Sequence, residues 1–173
     1  NQQDYASASS WLDKVLEYPH SKCSTEAMGM SADIAYKGKD YPKALGLYKR
    51  MADRALSQEE RLQAETGALR SAWMANDQTE IVTTASALLA QSKLAPELEN
   101  EARYYRAKAL LATGKATEAL ADLTVLAKDT RNVYGAEAKY LVAQIYFDAG
   151  ETEKAEKEVL AYIEVSTPHA YWL

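Results

Sequence analysis

Few residues in this sequence are of the kinds that make and break bonds, and their spacing keeps them apart. The two histidines, His20 and His169, follow Pro19 and Pro168 and stand nearly the whole chain from one another. They read as residues of surface connections rather than as a metal pair. Cys23 is the single cysteine, which excludes an intramolecular disulfide and fits a small buried hydrophobe better than a nucleophile. Carboxylates cluster at Glu97, Glu99 and Glu101 and again at Glu151, Glu153, Glu156 and Glu158, and such groups can build acid–base pairs or hold hard cations. Here they fall in the first turns or on the outer faces of helices, where the helix macrodipole and solvation account for them. The glycines are isolated rather than gathered into a phosphate-cradling loop, and neither His-Glu-x-x-His nor Cys-x-x-Cys occurs. The expectation is a chain with no catalytic residue, no metal and no cofactor, and therefore not an enzyme.

Recognition chemistry is better represented. The chain carries 12 Tyr and 3 Trp against 1 Phe, and side chains with an apolar body and a polar tip are favoured at protein interfaces. Tyr48, Tyr146 and Tyr162 fall in apolar stripes and are expected in the core. With 25 acidic and 20 basic residues the formal charge is −5, which gives no general attraction to nucleic acid or an anionic membrane surface. The longest apolar runs, such as Ala109 to Ala112, fall far short of the roughly 18 to 20 residues of a membrane span, so no membrane insertion is expected.

The elements that must position these groups are helices. The sequence is 47% hydrophobic, has only 7 Gly and 4 Pro, and is rich in residues that lose little rotamer freedom in a helix. Tyr5, Ala8, Leu12, Val15 and Leu16 predict a helix over 4–18, capped by Asp4 and ended by Pro19. A second runs over 25–37 and stops at Gly38, read as a left-handed residue. Asp40 caps a third, whose stripe includes Tyr41, Ala44, Leu45, Tyr48 and Met51. Ser57 with Glu60 forms a capping-box signature for a helix reaching Ala75. Asn76 then tolerates the left-handed turn, and Asp77 caps the next helix. Pro96 opens a helix over 97–113 that ends at Gly114; helices follow from Ala116 to Ala127, over 133–149 up to Gly150, and over 152–165. Thr167 and Pro168 read as the opening of one more. No segment alternates like a strand, no linker is rich in Gly or Ser, and no domain boundary is visible. The class is all-α, with about nine helices.

Register shows that one unit is repeated. Ala8, Ala44, Ile81, Ala119 and Ala155 share a phase, at steps of 36, 37, 38 and 36 residues. Three further apolar columns follow, headed by Leu12, Val15 and Leu16, and the turn residues Gly38, Asn76, Gly114 and Gly150 align as well. Glu101-Ala102-Arg103-Tyr104 matches Glu137-Ala138-Lys139-Tyr140. A period of this size resembles the tetratricopeptide repeat (TPR), a helix pair of ~34 residues. The motif's small residue, aromatic, turn glycine and second-helix alanine fall on Ala143, Tyr146, Gly150 and Ala155, and in the preceding unit on Ala107, Leu110, Gly114 and Ala119. In the earlier units Leu69 and Ile81 replace small residues, Ser31 takes the first-helix position, and Lys39 reads as a one-residue insertion; Arg103 and Lys139 stand in the column of the usual Trp.

The resemblance implies a right-handed superhelical solenoid of antiparallel helix pairs. Its units would be 24–57, 58–95, 96–131 and 132–167, with 1–23 the second helix of an incomplete unit and 168–173 the start of another. The chain would then be a piece of a longer array, free to self-associate through its open ends. In the resembled family a concave groove is lined by first-helix positions off the packing columns. The register puts Arg70, Trp73, Tyr104, Lys108, Leu111, Tyr140, Gln144 and Phe147 there. The implied function is a non-catalytic scaffold binding a peptide segment or partner helix; the alternative is a spacer or oligomerisation unit whose groove is filled by its own chain. The later units also resemble long TPR proteins of bacterial cell envelopes, which implies a periplasmic or envelope-associated setting and leaves a cytoplasmic one open.

Overall fold

The structure, a computed structural model, describes residues 24–129 and 133–165 together with Trp11, Leu12 and Lys14. The expected helix over 4–18, its cap Asp4, and Cys23, His20, Thr167, Pro168 and His169 lie outside the described residues. Among the described residues the chain forms eight α-helices and no strand. It divides into two compact units, Asn1–Leu88 and Leu89–Leu173. The first holds α1 (Ser24–Lys37), α2 (Tyr41–Arg54), α3 (Gln58–Met74) and α4 (Gln78–Leu89); α2 packs against both α1 and α3. The second holds α5 (Pro96–Ala112), α6 (Ala116–Leu126), α7 (Val133–Asp148) and α8 (Thr152–Val165). There each helix packs on the next, and α5 also touches α7.

The helix starts are made by the expected side chains. Asp40 Oδ1 accepts from the Lys43 N–H at 3.2 Å, and Asp77 Oδ1 from the Glu80 N–H at 3.1 Å. At α3, Ser57 Oγ accepts from the Glu60 N–H at 3.1 Å. The Glu60 carboxylate reaches back past Ser57 to the Leu56 N–H at 2.9 Å, one residue earlier than a capping box requires.

Four turns join the helix pairs by one geometry. A residue of positive φ follows each first helix: Lys39 at 64°, Asn76 at 56°, Gly114 at 76° and Gly150 at 77°. The next N–H donates back to the carbonyl of Ala35, Ala72, Leu110 or Tyr146 at 2.8–3.1 Å, closing a Schellman turn. This corrects the reading of the first turn. Its left-handed residue is Lys39 rather than Gly38, and Lys39 is the turn residue itself rather than an insertion. Counting back from it places Ala32, not Ser31, in the column of Leu69, Ala107 and Ala143. Ala32, Leu69 and Ala107 are fully buried, and Ala143 nearly so.

The apolar columns form the core. Ala44, Ile81, Ala119 and Ala155 are buried, as are Met51, Leu88, Leu126 and Tyr162. The outermost column is different: Ala52, Leu89 and Ala127 are half-buried and Ile163 is exposed. Tyr48 is buried against α3, where Gly67 makes room for it. A Cβ on Gly67 would lie 2.5–2.7 Å from three atoms of the Tyr48 ring. The ring cannot swing aside, because its hydroxyl donates to Asp33 on α1. Burial, then that hydrogen bond and the Asp33 charge, push the phenol well above its ordinary pKa.

Two stability changes follow. Lys39→Gly is expected to raise unfolding free energy by about 1 kcal/mol in urea titration, since a Cβ is penalised in the left-handed region. Gly67→Ala should lower it by about 1–2 kcal/mol: the helix-propensity gain of about 1 kcal/mol is smaller than the overpacking cost against a pinned ring.

Candidate functional site

The second unit contains a charge cluster around a buried acid. Asp122 on α6 is 2% exposed. Arg103 donates to its Oδ1 at 3.1 Å, and Arg106 donates to both oxygens at 2.7 and 2.8 Å. Arg103 also holds Glu99 one turn earlier on α5 at 2.8 Å. Burial pulls the Arg103 guanidinium down, but the hydrogen bond to Glu99 and the charges of Glu99 and Asp122 outweigh it and raise its pKa. With the first turn corrected, Arg103 and Asp122 occupy register positions that recur 19 residues apart in every hairpin: Met28 and Leu47, Glu65 and Thr84, Arg103 and Asp122, Lys139 and Glu158. Met28 and Leu47 are buried, and Lys139 pairs with Glu158 at 2.8 Å. The cluster is a packing contact written in charge.

Two of the expected groove residues are brought together on one carboxylate. Glu137 of α7 accepts from the Tyr104 hydroxyl at 2.6 Å and from Lys108 Nζ at 2.9 Å. The Tyr104 ring also lies 4.9 Å from that of Tyr134 on α7. Tyr104 and Lys108 therefore join α5 to α7. Leu111 is half-buried on α5. Arg70 and Trp73 lie on α3 of the first unit, Arg70 exposed and Trp73 half-buried.

The other three residues meet at a cleft. Tyr140, Gln144 and Phe147 of α7, with Ala143 behind them and Ala155 and Val159 of α8 opposite, line a cleft of about 640 Å³. Tyr140 is 42% and Phe147 66% exposed. Asp148, Thr152 and Glu156 stand at its edge. Every one of these positions has an equivalent 36 residues earlier on the α5–α6 hairpin, where α7 packs. Ala107, Ala119 and Leu123 are fully buried there, whereas Val159, in the place of Leu123, is only half-buried. The cleft thus repeats, in the open, a surface that the preceding hairpin gives to a helix.

Sequence reasoning did not single out Glu137, Asp122 or Arg106. Asp122 left one signal, a charged residue within the apolar run of α6, three residues after the column alanine Ala119. Among the described residues, no group of three His, Cys, Asp or Glu side chains is placed to hold a metal ion. No described helix is long and apolar enough to cross a membrane.

No protein-family model matches the chain, and no curated protein matches it in sequence. Among solved structures it is similar to a crystal structure of nearly identical TPR-like repeats from Podosopora anserina, described as a kinesin light chain. The two are 16% identical with a TM-score of 0.60, over 94% of this chain and 87% of that one. That similarity shows the fold: the chain is an all-α solenoid of TPR-like helical repeats.

The charge cluster makes a prediction that an apolar core would not. Asp122→Leu removes the buried acid that takes three hydrogen bonds from two guanidiniums and should cost about 3 kcal/mol of unfolding free energy. Adding Arg103→Met, which copies the Met28 and Leu47 pair, should recover part of that loss. Urea titrations of the two variants check it; a further loss in the double variant would refute the equivalence.

Proposed function

We propose that this chain is a non-catalytic protein-interaction module whose principal docking surface is the α7–α8 cleft. One observation carries the reading: two large aromatic side chains, Tyr140 and Phe147, stand exposed around an apolar cleft whose register equivalent is covered by a helix. Buried aromatic anchors supply most of the energy of protein interfaces, and helical-repeat folds commonly mediate such contacts. Leu111 on α5 belongs to the same set of first-helix positions and is a further candidate contact of the second unit; Arg70 and Trp73 hold those positions on α3 of the first unit.

The α5–α7 junction favours the second reading, a structural role, for its own stretch. There the groove positions Tyr104 and Lys108 are engaged by Glu137 of the same chain. In this proposal they stiffen the module while Tyr140, Gln144 and Phe147 bind.

Affinity capture with the Tyr140→Ala/Phe147→Ala double variant is expected to lose the partners that the native chain retains, with helicity by circular dichroism unchanged. Tyr104→Phe, which removes only the hydroxyl bonded to Glu137, should retain them. Undiminished capture by the double variant would reject the cleft as the docking surface.

A further inference from the structure

The occupant of the cleft can be narrowed by comparing it, position by position, with the covered surface one hairpin earlier; the inference rests on the docking reading above. We infer that the cleft takes an amphipathic helix whose apolar stripe is flanked by Lys or Arg.

The helical form comes from the internal precedent. On the α5–α6 hairpin the occupant is α7, a 16-residue helix. It presents Tyr134 to the Tyr104 ring and, one turn on, Glu137 to the Tyr104 hydroxyl and Lys108. The α7–α8 cleft keeps the phenol as Tyr140 and the apolar floor as Ala143, Ala155 and Val159. A groove of this form reads a helix through anchors spaced three and four residues apart.

The charge comes from what changes. Gln144 stands where Lys108 would be, so the cleft no longer asks its occupant for a carboxylate. Asp148 and Glu156 stand where the preceding hairpin has Ala112, exposed, and Leu120, half-buried, so the edge of the cleft gains two acids. Both are exposed, and neither has a hydrogen-bond or ionic partner among the described residues. A helix seated as α7 is would leave the first position open and half-cover the second, as at Ala112 and Leu120, so the two acids would stand beside its flanks, within reach of long cationic side chains. Cationic flanks would then gain two ion pairs, and acidic flanks would meet like charge. The formal charge of −5 on the chain steers a cationic segment in the same direction.

The test titrates the full chain with three fluorescent synthetic peptides of α7's length, 16 residues. One is a helix with a Tyr/Leu stripe and Lys/Arg flanks, one the same stripe with Glu flanks, and one the basic composition broken by prolines. The basic helix should bind about tenfold more tightly than either of the others. Asp148→Asn with Glu156→Gln should remove most of that preference, at roughly threefold per charge. Phe147→Ala should weaken the helical peptides together. If the acidic helix binds as well as the basic one and Phe147→Ala weakens both, the docking surface stands and the charge inference falls. If the prolines cost nothing, the helical form falls. Binding of the basic helix that is indifferent to Phe147→Ala overturns the docking surface itself. Refusal of all three peptides overturns the inference. Mass growth on sedimentation that Phe147→Ala abolishes does so too, by giving the cleft to a second copy.

Discussion

The sign of one backbone angle sets the phase of each helix pair. A positive φ at Lys39, Asn76, Gly114 and Gly150 lets the following N–H reach back to a carbonyl that would otherwise lack a partner at the helix end. Five residues after each turn the chain delivers a buried side chain: Ala44, Ile81, Ala119 and Ala155. Because the turn fixes that count, every other position of the second helix is fixed in rotation about its axis. A glycine is the least strained residue for the task, but the chain also uses Asn and even Lys. What is held constant is the conformation, and residue type follows it only where other demands permit.

Once phase is fixed, chemistry at a register position can vary, provided the pair across the hairpin stays complementary. The position occupied by Met28 and Leu47 in the first hairpin holds Arg103 and Asp122 in the third and Lys139 and Glu158 in the fourth. An apolar pair and an ion pair fill comparable volume but answer different rules. The apolar pair gains from leaving water. The ionic one must recover a desolvation cost through geometry, which is why Asp122 takes three hydrogen bonds from two arginines while the more exposed Glu158 is met by one lysine.

Much of this fold was legible in the sequence because it is local. Caps at Asp40, Ser57 and Asp77, turns at Asn76, Gly114 and Gly150, and the apolar columns all follow from residues within a few positions of one another. The first turn misled because Gly38 offers the usual left-handed residue one position too early, and nothing local says that Lys39 adopts it. The site was legible in part. Tyr140, Gln144 and Phe147 share one helix face by period alone, so their meeting could be read from spacing. The engagement of Tyr104 and Lys108 could not, because it depends on Glu137, some thirty residues away and one helix pair further on. Asp148 was not singled out, and Glu156 was read as one acid of a solvated face, for a different reason: on a helix surface an acid is ordinary, and it becomes informative only beside an uncharged copy of the same surface.

That comparison also bears on the docking role proposed for the cleft. On the preceding hairpin the equivalent edge is Ala112, exposed, and Leu120, half-buried beside α7, and neither asks a neighbour for charge. Asp148 and Glu156 do. Covering a carboxylate without a partner costs several kcal/mol, about as much as burying a pair of large side chains returns. The edge therefore tolerates water or a cation and penalises any neighbour that offers neither. The floor of the cleft rewards burial regardless of charge. In the docking reading proposed above, an apolar floor supplies affinity and an acidic edge selects for cations, whereas the preceding hairpin, through Lys108, selects a carboxylate.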